Sequence, residues 1–207
     1  MAYFPFFIDL DQKPGLVVGG GPVAARKIRT LLPYGPRLTV CAPSVLPELE
    51  ALPGLAVRKE PFSPDLLEGA FFVIAATDDR ELNRRIAGLC RARNLPVNVA
   101  DPGTESTFLF PSVVQRGPMT IGISTGGTSP TAAHVLKEQI EGLLPGNLEE
   151  ILLWMDGMRE ELKGSPLPQP KRSACLSRLF AAALQAGGPL SREEIQPLLS
   201  LETEELP

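Results

Sequence analysis

Short apolar runs alternate with helix-length stretches through the first hundred residues. Gly15–Gly19, Leu38–Ala42, Leu55–Arg58, Ala70–Ala76 and Pro96–Ala100 are too short for helices and rich in Val, Ile, Leu and Ala, as buried strands are. Between them, Val23–Leu32 places Ala24, Ile28, Leu31 and Leu32 on one helical face, and the stretch after Asp78 places Leu82, Ile86 and Leu89 likewise. Asp78, with Glu81 three residues on, has the spacing of a capping box. Strands joined by helix-sized crossovers predict a parallel sheet, because parallel neighbours cannot be linked by a tight turn.

The period changes after Asp101. Phe108–Val114 and Met119–Ser124, around the turn Gln115–Pro118, predict an antiparallel pair. Ser129-Pro130 predicts a helix start, with Ser as cap and Pro in the first turn, running to about Leu144. Helix continues from Asn147 to Lys163, a Pro-rich connector spans Gly164–Arg172, and further helices fall near Ala174–Ala186 and Ser191–Leu199. The tail 201–207 is expected to fray. This divides the chain into residues 1–112, an α/β domain; 113–145, a small α+β region; and 146–207, a helical domain.

Gly19-Gly20-Gly21-Pro22-Val23-Ala24 follows the first strand and opens the first helix, satisfying G-x-G-x-x-A. In a dinucleotide-binding turn the first glycine permits the bend, the second lets backbone approach a pyrophosphate, and Ala24 lets helix pack on strand. The helix start adds unpaired N–H groups and a positive dipole. The second strand ends Cys41-Ala42-Pro43-Ser44, without the usual ribose-binding carboxylate and without an arginine for a 2′-phosphate. Ser44 is the candidate there, and NAD is favoured over NADP. Thr77, after the fourth strand, is a candidate cofactor contact, whereas Asp78 and Asp79 read as helix-capping groups. Asp101 ends Asn98-Val99-Ala100-Asp101, where a carboxylate could accept a proton as a hydride leaves a substrate. From pattern alone, a turn aspartate before Pro102-Gly103 fits it equally well. The loop Ser124-Thr125-Gly126-Gly127-Thr128-Ser129 has the hydroxyl and glycine content of an anion cradle, and His134 lies one turn beyond it.

Charge and cysteine content narrow the classes. The net charge is −4, from 20 Lys and Arg against 24 Asp and Glu. The basic runs Arg26-Lys27-Ile28-Arg29 and Arg91-Ala92-Arg93 read as solvated helix faces, so nucleic acid is not an expected partner. Three scattered cysteines without a CxxC argue against a disulfide framework and fit a reducing cytoplasm. The single histidine excludes a His-rich metal site within one chain. No apolar run approaches membrane-spanning length and no basic region precedes an apolar stretch near Met1, so neither membrane nor secretory signal is expected.

GGGPVAARK, FFVIAATDDRELN, VNVAD and FLFPSVVQRGPMTIGISTGGTSPTAA, in that order, resemble the precorrin-2 dehydrogenase/sirohydrochlorin ferrochelatase family, the N-terminal module of siroheme synthase and its free-standing relatives. The resemblance is strongest over residues 1–145. It implies a Rossmann-like parallel sheet, then an α+β dimerisation region and a helical domain. It implies NAD-dependent oxidation of the tetrapyrrole precorrin-2 to sirohydrochlorin, in some members followed by Fe²⁺ insertion. It implies a homodimer in which residues 113–145 exchange contacts, with the active site between that region and the cofactor domain. Asp101 aligns with the family's general base and chelation carboxylate. Cofactor contacts carry over to Pro22, Val23, Pro43 and Ser44, beside Gly19, Gly21 and Thr77. Ser124, Thr125, Gly126, Thr128, Ser129 and His134 become the substrate-binding candidates, with Arg116 or Lys137 assisting; the metal ligands stay unassigned. Thr125 stands where some members carry a phosphorylatable serine. At 207 residues, no room is expected for a methyltransferase domain. The competing class is a non-catalytic NAD(H)- or tetrapyrrole-binding sensor, which would not need a carboxylate at position 101.

Overall fold

The computed structural model describes residues 3–100 and 105–200. The tail 201–207 lies outside them. Contacts divide the chain into a unit ending at Phe110 and a unit beginning at Pro111.

In the first unit, strand β1 (Pro14–Val18) leads into helix α1 (Pro22–Leu31), and β2 (Arg37–Cys41) into the short α2 (Pro47–Glu50). β3 (Ala56–Arg58) and β4 (Phe72–Ala75) follow, then α3 (Arg80–Ala92) and β5 (Val97–Val99). All five strands are parallel, in the order β3-β2-β1-β4-β5. The chain therefore winds outward from β1 in one direction and returns to β1's other side with β4. Between β1 and β4 the winding reverses, which opens a crevice beyond their carboxyl ends.

Both sheet faces are covered, which is why the strands read as near-continuous apolar runs. Ala24, Ala25, Ile28 and Leu31 of α1 pack with Val17, Val40 and Ile74 on one face. Ile86, Ala87 and Cys90 of α3 pack with Leu16, Val18, Val73 and Val97 on the other. The predicted parallel α/β sheet is thus present.

In the second unit, β6 (Ser112–Arg116) and β7 (Met119–Ile123) form an antiparallel hairpin, with Gly117 at φ 53 in its two-residue turn. Helix α4 (Pro130–Leu143) follows, with Ala133 buried. Helices α5 (Leu148–Lys163), α6 (Gln169–Ala186) and α7 (Arg192–Ser200) share a core that includes Ile151, Leu162, Cys175, Leu179 and Ala183.

Three local expectations are corrected. The cap of α3 is Asp79, not Asp78: the helix starts at Arg80, so it is the Asp79 carboxylate that meets the N–H groups of Glu81 and Leu82, at 2.9 and 3.1 Å. The hairpin begins at Ser112 rather than Phe108, because Phe108 and Phe110 turn onto the α1-side core of the first unit. The Pro-rich connector is shorter than expected, since α6 starts at Gln169 and Pro170 sits in its first turn, where a missing N–H costs nothing.

Ile28 is fully buried at the centre of the α1 face. Ile28→Ala is expected to cost about 2–5 kcal/mol of stability, measured by urea unfolding of the full chain. A loss below about 0.5 kcal/mol would be that of an ordinary surface substitution.

Candidate functional site

The glycine turn sits where three strand ends converge. Gly19 has φ +123, and a Cβ built there falls 2.2 Å from the Ala76 carbonyl oxygen beyond β4. A Cβ on Gly20 falls 2.2 Å from the Ser44 carbonyl oxygen and 2.8 Å from the Val45 Cα, beyond β2. Both neighbours are backbone, so neither can swing aside. Gly19 N–H donates to Cys41 O at 2.9 Å, and Leu46 N–H to Gly20 O at 3.0 Å. The turn is therefore wedged between the two neighbouring strand ends.

Gly21 differs: nothing lies within 4 Å of a Cβ built on it. It is the N-cap residue of α1, and the first intrahelical bond runs from Ala25 N–H to Gly21 O at 3.0 Å. The N–H groups of Val23 and Ala24 precede that bond, while Pro22 has none to offer. Open space beside Gly21, unpaired donors and the positive end of a helix dipole fit an anionic pyrophosphate. Pro22, Val23, Pro43 and Ser44 are all exposed at this edge. The Thr77 hydroxyl lies 2.8 Å from Asn83 Oδ1, and the Asn83 amide donates back to Thr77 O at 3.0 Å. Thr77 is thus held by a fully buried asparagine of α3.

In the middle of β5, Asn98 is 5% exposed. Its Oδ1 accepts from Lys27 Nζ at 2.8 Å, and its Nδ2 donates to Phe108 O at 2.9 Å. The Lys27 ammonium also stands 4.0 Å from the centre of the Phe110 ring. Burial pulls the Lys27 pKa down to about 8, and the adjacent Arg26 adds repulsion. Lys27 is thus no member of a solvated basic face, as its run suggested. Its spacing held the signal: it lies three residues after Ala24 and four before Leu31, on the inward side of α1. Gly20 was likewise read only as the middle of the glycine run. Asp101 follows β5 by two residues and lies outside the described residues.

The second unit holds the other candidates. The Thr125 hydroxyl accepts from Ser129 N–H at 3.1 Å and donates to Ser129 O at 3.0 Å. Ser129 Oγ caps α4 by accepting from Ala132 N–H at 3.1 Å. Gly126 and Gly127 have φ +63 and +85, which suits glycine. Ser124 and Thr128 are exposed on the same loop. His134 is exposed on α4, its Nε2 3.4 Å from Glu138. Lys137 pairs with Glu141 at 3.7 Å, and Arg116 donates to Gln115 O at 2.9 Å. Among the described residues, no three His, Cys, Asp or Glu side chains gather as a metal site. Cys41, Cys90 and Cys175 are buried and form no disulfide, and burial raises the Cys90 thiol to about 11, so it stays protonated and unreactive. No helix among the described residues is long and apolar enough to cross a membrane.

Comparison with known proteins follows this division. Residues 6–112 match the family described as "Putative NAD(P)-binding". The chain belongs to that family. Residues 116–143 match a second model, "Sirohaem biosynthesis protein central". Siroheme synthase 1 of Pectobacterium atrosepticum is 40% identical over 200 residues, covering 94% of this chain and 42% of the relative. Siroheme synthase 1 of Aeromonas salmonicida is 37% identical, covering 98% and 45%. Siroheme synthase of Sodalis glossinidius is 44% identical over 148 residues, covering 70% and 31%. The chain spans less than half the length of these relatives. A solved structure titled "SirC, precorrin-2 dehydrogenase" shares the fold, with a TM-score of 0.71 at 22% identity over 98% of this chain and 100% of that one. The Rossmann-like class of this NAD(P)-binding protein follows from its sheet order and that match.

Gly20→Ala is expected to lower the melting temperature by several degrees, because a methyl would collide with backbone at Ser44 and Val45. An unchanged melting curve would contradict the wedged turn. Lys27 sets a second expectation. Between pH 8 and 10.5 the unfolded lysine keeps a proton that the folded one has released, so this group makes stability rise with pH through that window and leaves it level on either side. Thermal unfolding at a series of pH values should show this rise in the wild type relative to Lys27→Met. Parallel curves would contradict the lowered pKa.

Proposed function

We propose that this chain is a precorrin-2 dehydrogenase, oxidising precorrin-2 to sirohydrochlorin with NAD⁺ in siroheme formation. The observation that carries this is the wedged glycine turn with its open Gly21, in a chain that also matches the sirohaem central model over 116–143. Likeness to siroheme synthases along nearly the whole chain supports the same substrate.

Gly19, Gly21, Pro22, Val23, Pro43, Ser44 and Thr77 are the cofactor residues in this proposal. Backbone N–H groups at the start of α1 hold the pyrophosphate, and Ser44 the adenosine ribose. NAD is favoured over NADP because β2 ends without an arginine, and Arg58 of the adjoining β3 is ion-paired with Glu60. When bound, NAD⁺ supplies the acceptor for the hydride that leaves the macrocycle. The accompanying proton goes to the Asp101 carboxylate, so substrate loses one hydride and one proton as its conjugation extends.

The macrocycle carries carboxylates, and the loop Ser124, Thr125, Gly126, Thr128, Ser129, with His134 beyond it, is their proposed cradle. Small hydroxyl side chains and backbone N–H groups at a helix start suit carboxylate oxygens in a chain of net charge −4. The proposal includes a cytoplasmic homodimer. It also includes Fe²⁺ as a further substrate for insertion into sirohydrochlorin, with Asp101 taking the pyrrole protons.

Asp101→Ala should lower turnover of precorrin-2 with NAD⁺ by about 100-fold or more while NAD⁺ affinity stays within about two-fold. Sirohydrochlorin absorbance and NADH formation report the first, calorimetric titration the second. Turnover near the wild-type rate would remove Asp101 from the reaction. NADH binding by the wild type without any sirohydrochlorin would favour the sensor class. Adding Fe²⁺ or Co²⁺ to the product then tests insertion against the uncatalysed rate.

A further inference from the structure

We infer that Lys27 is a positioning residue for the proposed oxidation: through Asn98 it holds the carboxyl end of β5, which leads into Asp101, against the helix that opens on the glycine turn. This rests on the function proposed above.

Lys27 Nζ donates to Asn98 Oδ1 at 2.8 Å and faces the Phe110 ring at 4.0 Å. Because lysine can only donate, this bond fixes which way the Asn98 amide points. The amide nitrogen is thereby aimed at Phe108 O, 2.9 Å away. The same return segment is also tied to β5 at Thr107 and Ser106. Val97 N–H donates to the Thr107 hydroxyl at 2.8 Å, and Val99 N–H to the Ser106 hydroxyl at 2.9 Å. Val97–Val99 and the segment 106–108 are therefore held side by side. Lys27 is the one link from this clamp to α1 through a charged group among the described residues.

Stability alone does not account for a lysine here. Its charge is partly withdrawn from water without a carboxylate to compensate it among the described residues. Arg26 on its own helix repels it. β5 and the return segment offer it Asn98 and Phe110, neither ionisable, and Glu105 of that segment faces Arg84 at 3.7 Å. Groups whose titration is shifted by burial gather where chemistry is done. The ammonium unites the pyrophosphate-facing helix and the strand that leads to the proposed base, so its loss should misplace one against the other while leaving the glycine turn intact. Small displacements of reacting groups are enough to cost about 100-fold in rate.

The test compares wild type, Lys27→Met and Lys27→Arg as full-length chains, with precorrin-2 and NAD⁺. Lys27→Met should lower kcat at least ten-fold with NAD⁺ affinity within two-fold of wild type. Lys27→Arg should return kcat to within three-fold, since a guanidinium can both donate to Asn98 and stack on Phe110. In the wild type kcat should fall as pH rises through about 8, and in Lys27→Arg this limb should move above pH 9. Unchanged kcat in Lys27→Met, or NAD⁺ affinity falling in step with kcat, overturns the inference. Should Lys27→Met fail to fold, an alkaline limb in Lys27→Arg identical to that of the wild type overturns it instead. A wild type that forms no sirohydrochlorin overturns the proposed function and this inference together. An active wild type with an indifferent Lys27→Met overturns this inference alone.

Discussion

The close approach of the β1–α1 turn to the backbone of its neighbours governs the rest of the first unit. Gly19 and Gly20 have carbonyl oxygens where side chains would begin. That crowding brings the start of α1 up against the ends of β2 and β4. The helix dipole is thereby directed into the crevice that the strand order opens. A residue with a Cβ at either position would push the helix away from the sheet. Gly21 is free of this crowding, which separates the two uses of glycine in one run: two residues serve the packing, and the third leaves room for a ligand.

Much of this was legible in the sequence. Parallel strands covered on both faces must be apolar throughout, and Val73, Ile74 and Ala75 are so without interruption. The alternation of such runs with helical periods therefore announced the sheet, and the G-x-G-x-x-A spacing announced which turn faces the crevice. The strand order was not legible, because it depends on which runs pair. Nor was the division of labour among the three glycines, which depends on Ser44 and Ala76, remote in sequence but adjacent in space.

Lys27 shows how charge can mislead. In sequence it lies in a basic run, and such runs are usually solvated. Its place on the inward face of α1 follows from the 3.6-residue period that places Ala24 and Leu31, and that period outweighs its charge. Asn98 was equally opaque, as an asparagine inside an apolar strand has no pattern to declare its partners. Asp79 replaced Asp78 as the cap for a simpler reason: adjacent acids offer two registers, and only the position of the first helical N–H groups chooses between them.

Calorimetric titration of NAD⁺ into the wild type and into Gly21→Val tests the central claim most directly, since nothing beyond its own chain neighbours lies within 4 Å of a Cβ at that position. The account predicts a melting temperature within a few degrees of wild type, since valine is a poorer helix cap than glycine, and a loss of at least ten-fold in affinity, because the new side chain would occupy the seat of the pyrophosphate. Wild-type affinity in a normally folded Gly21→Val chain would contradict it.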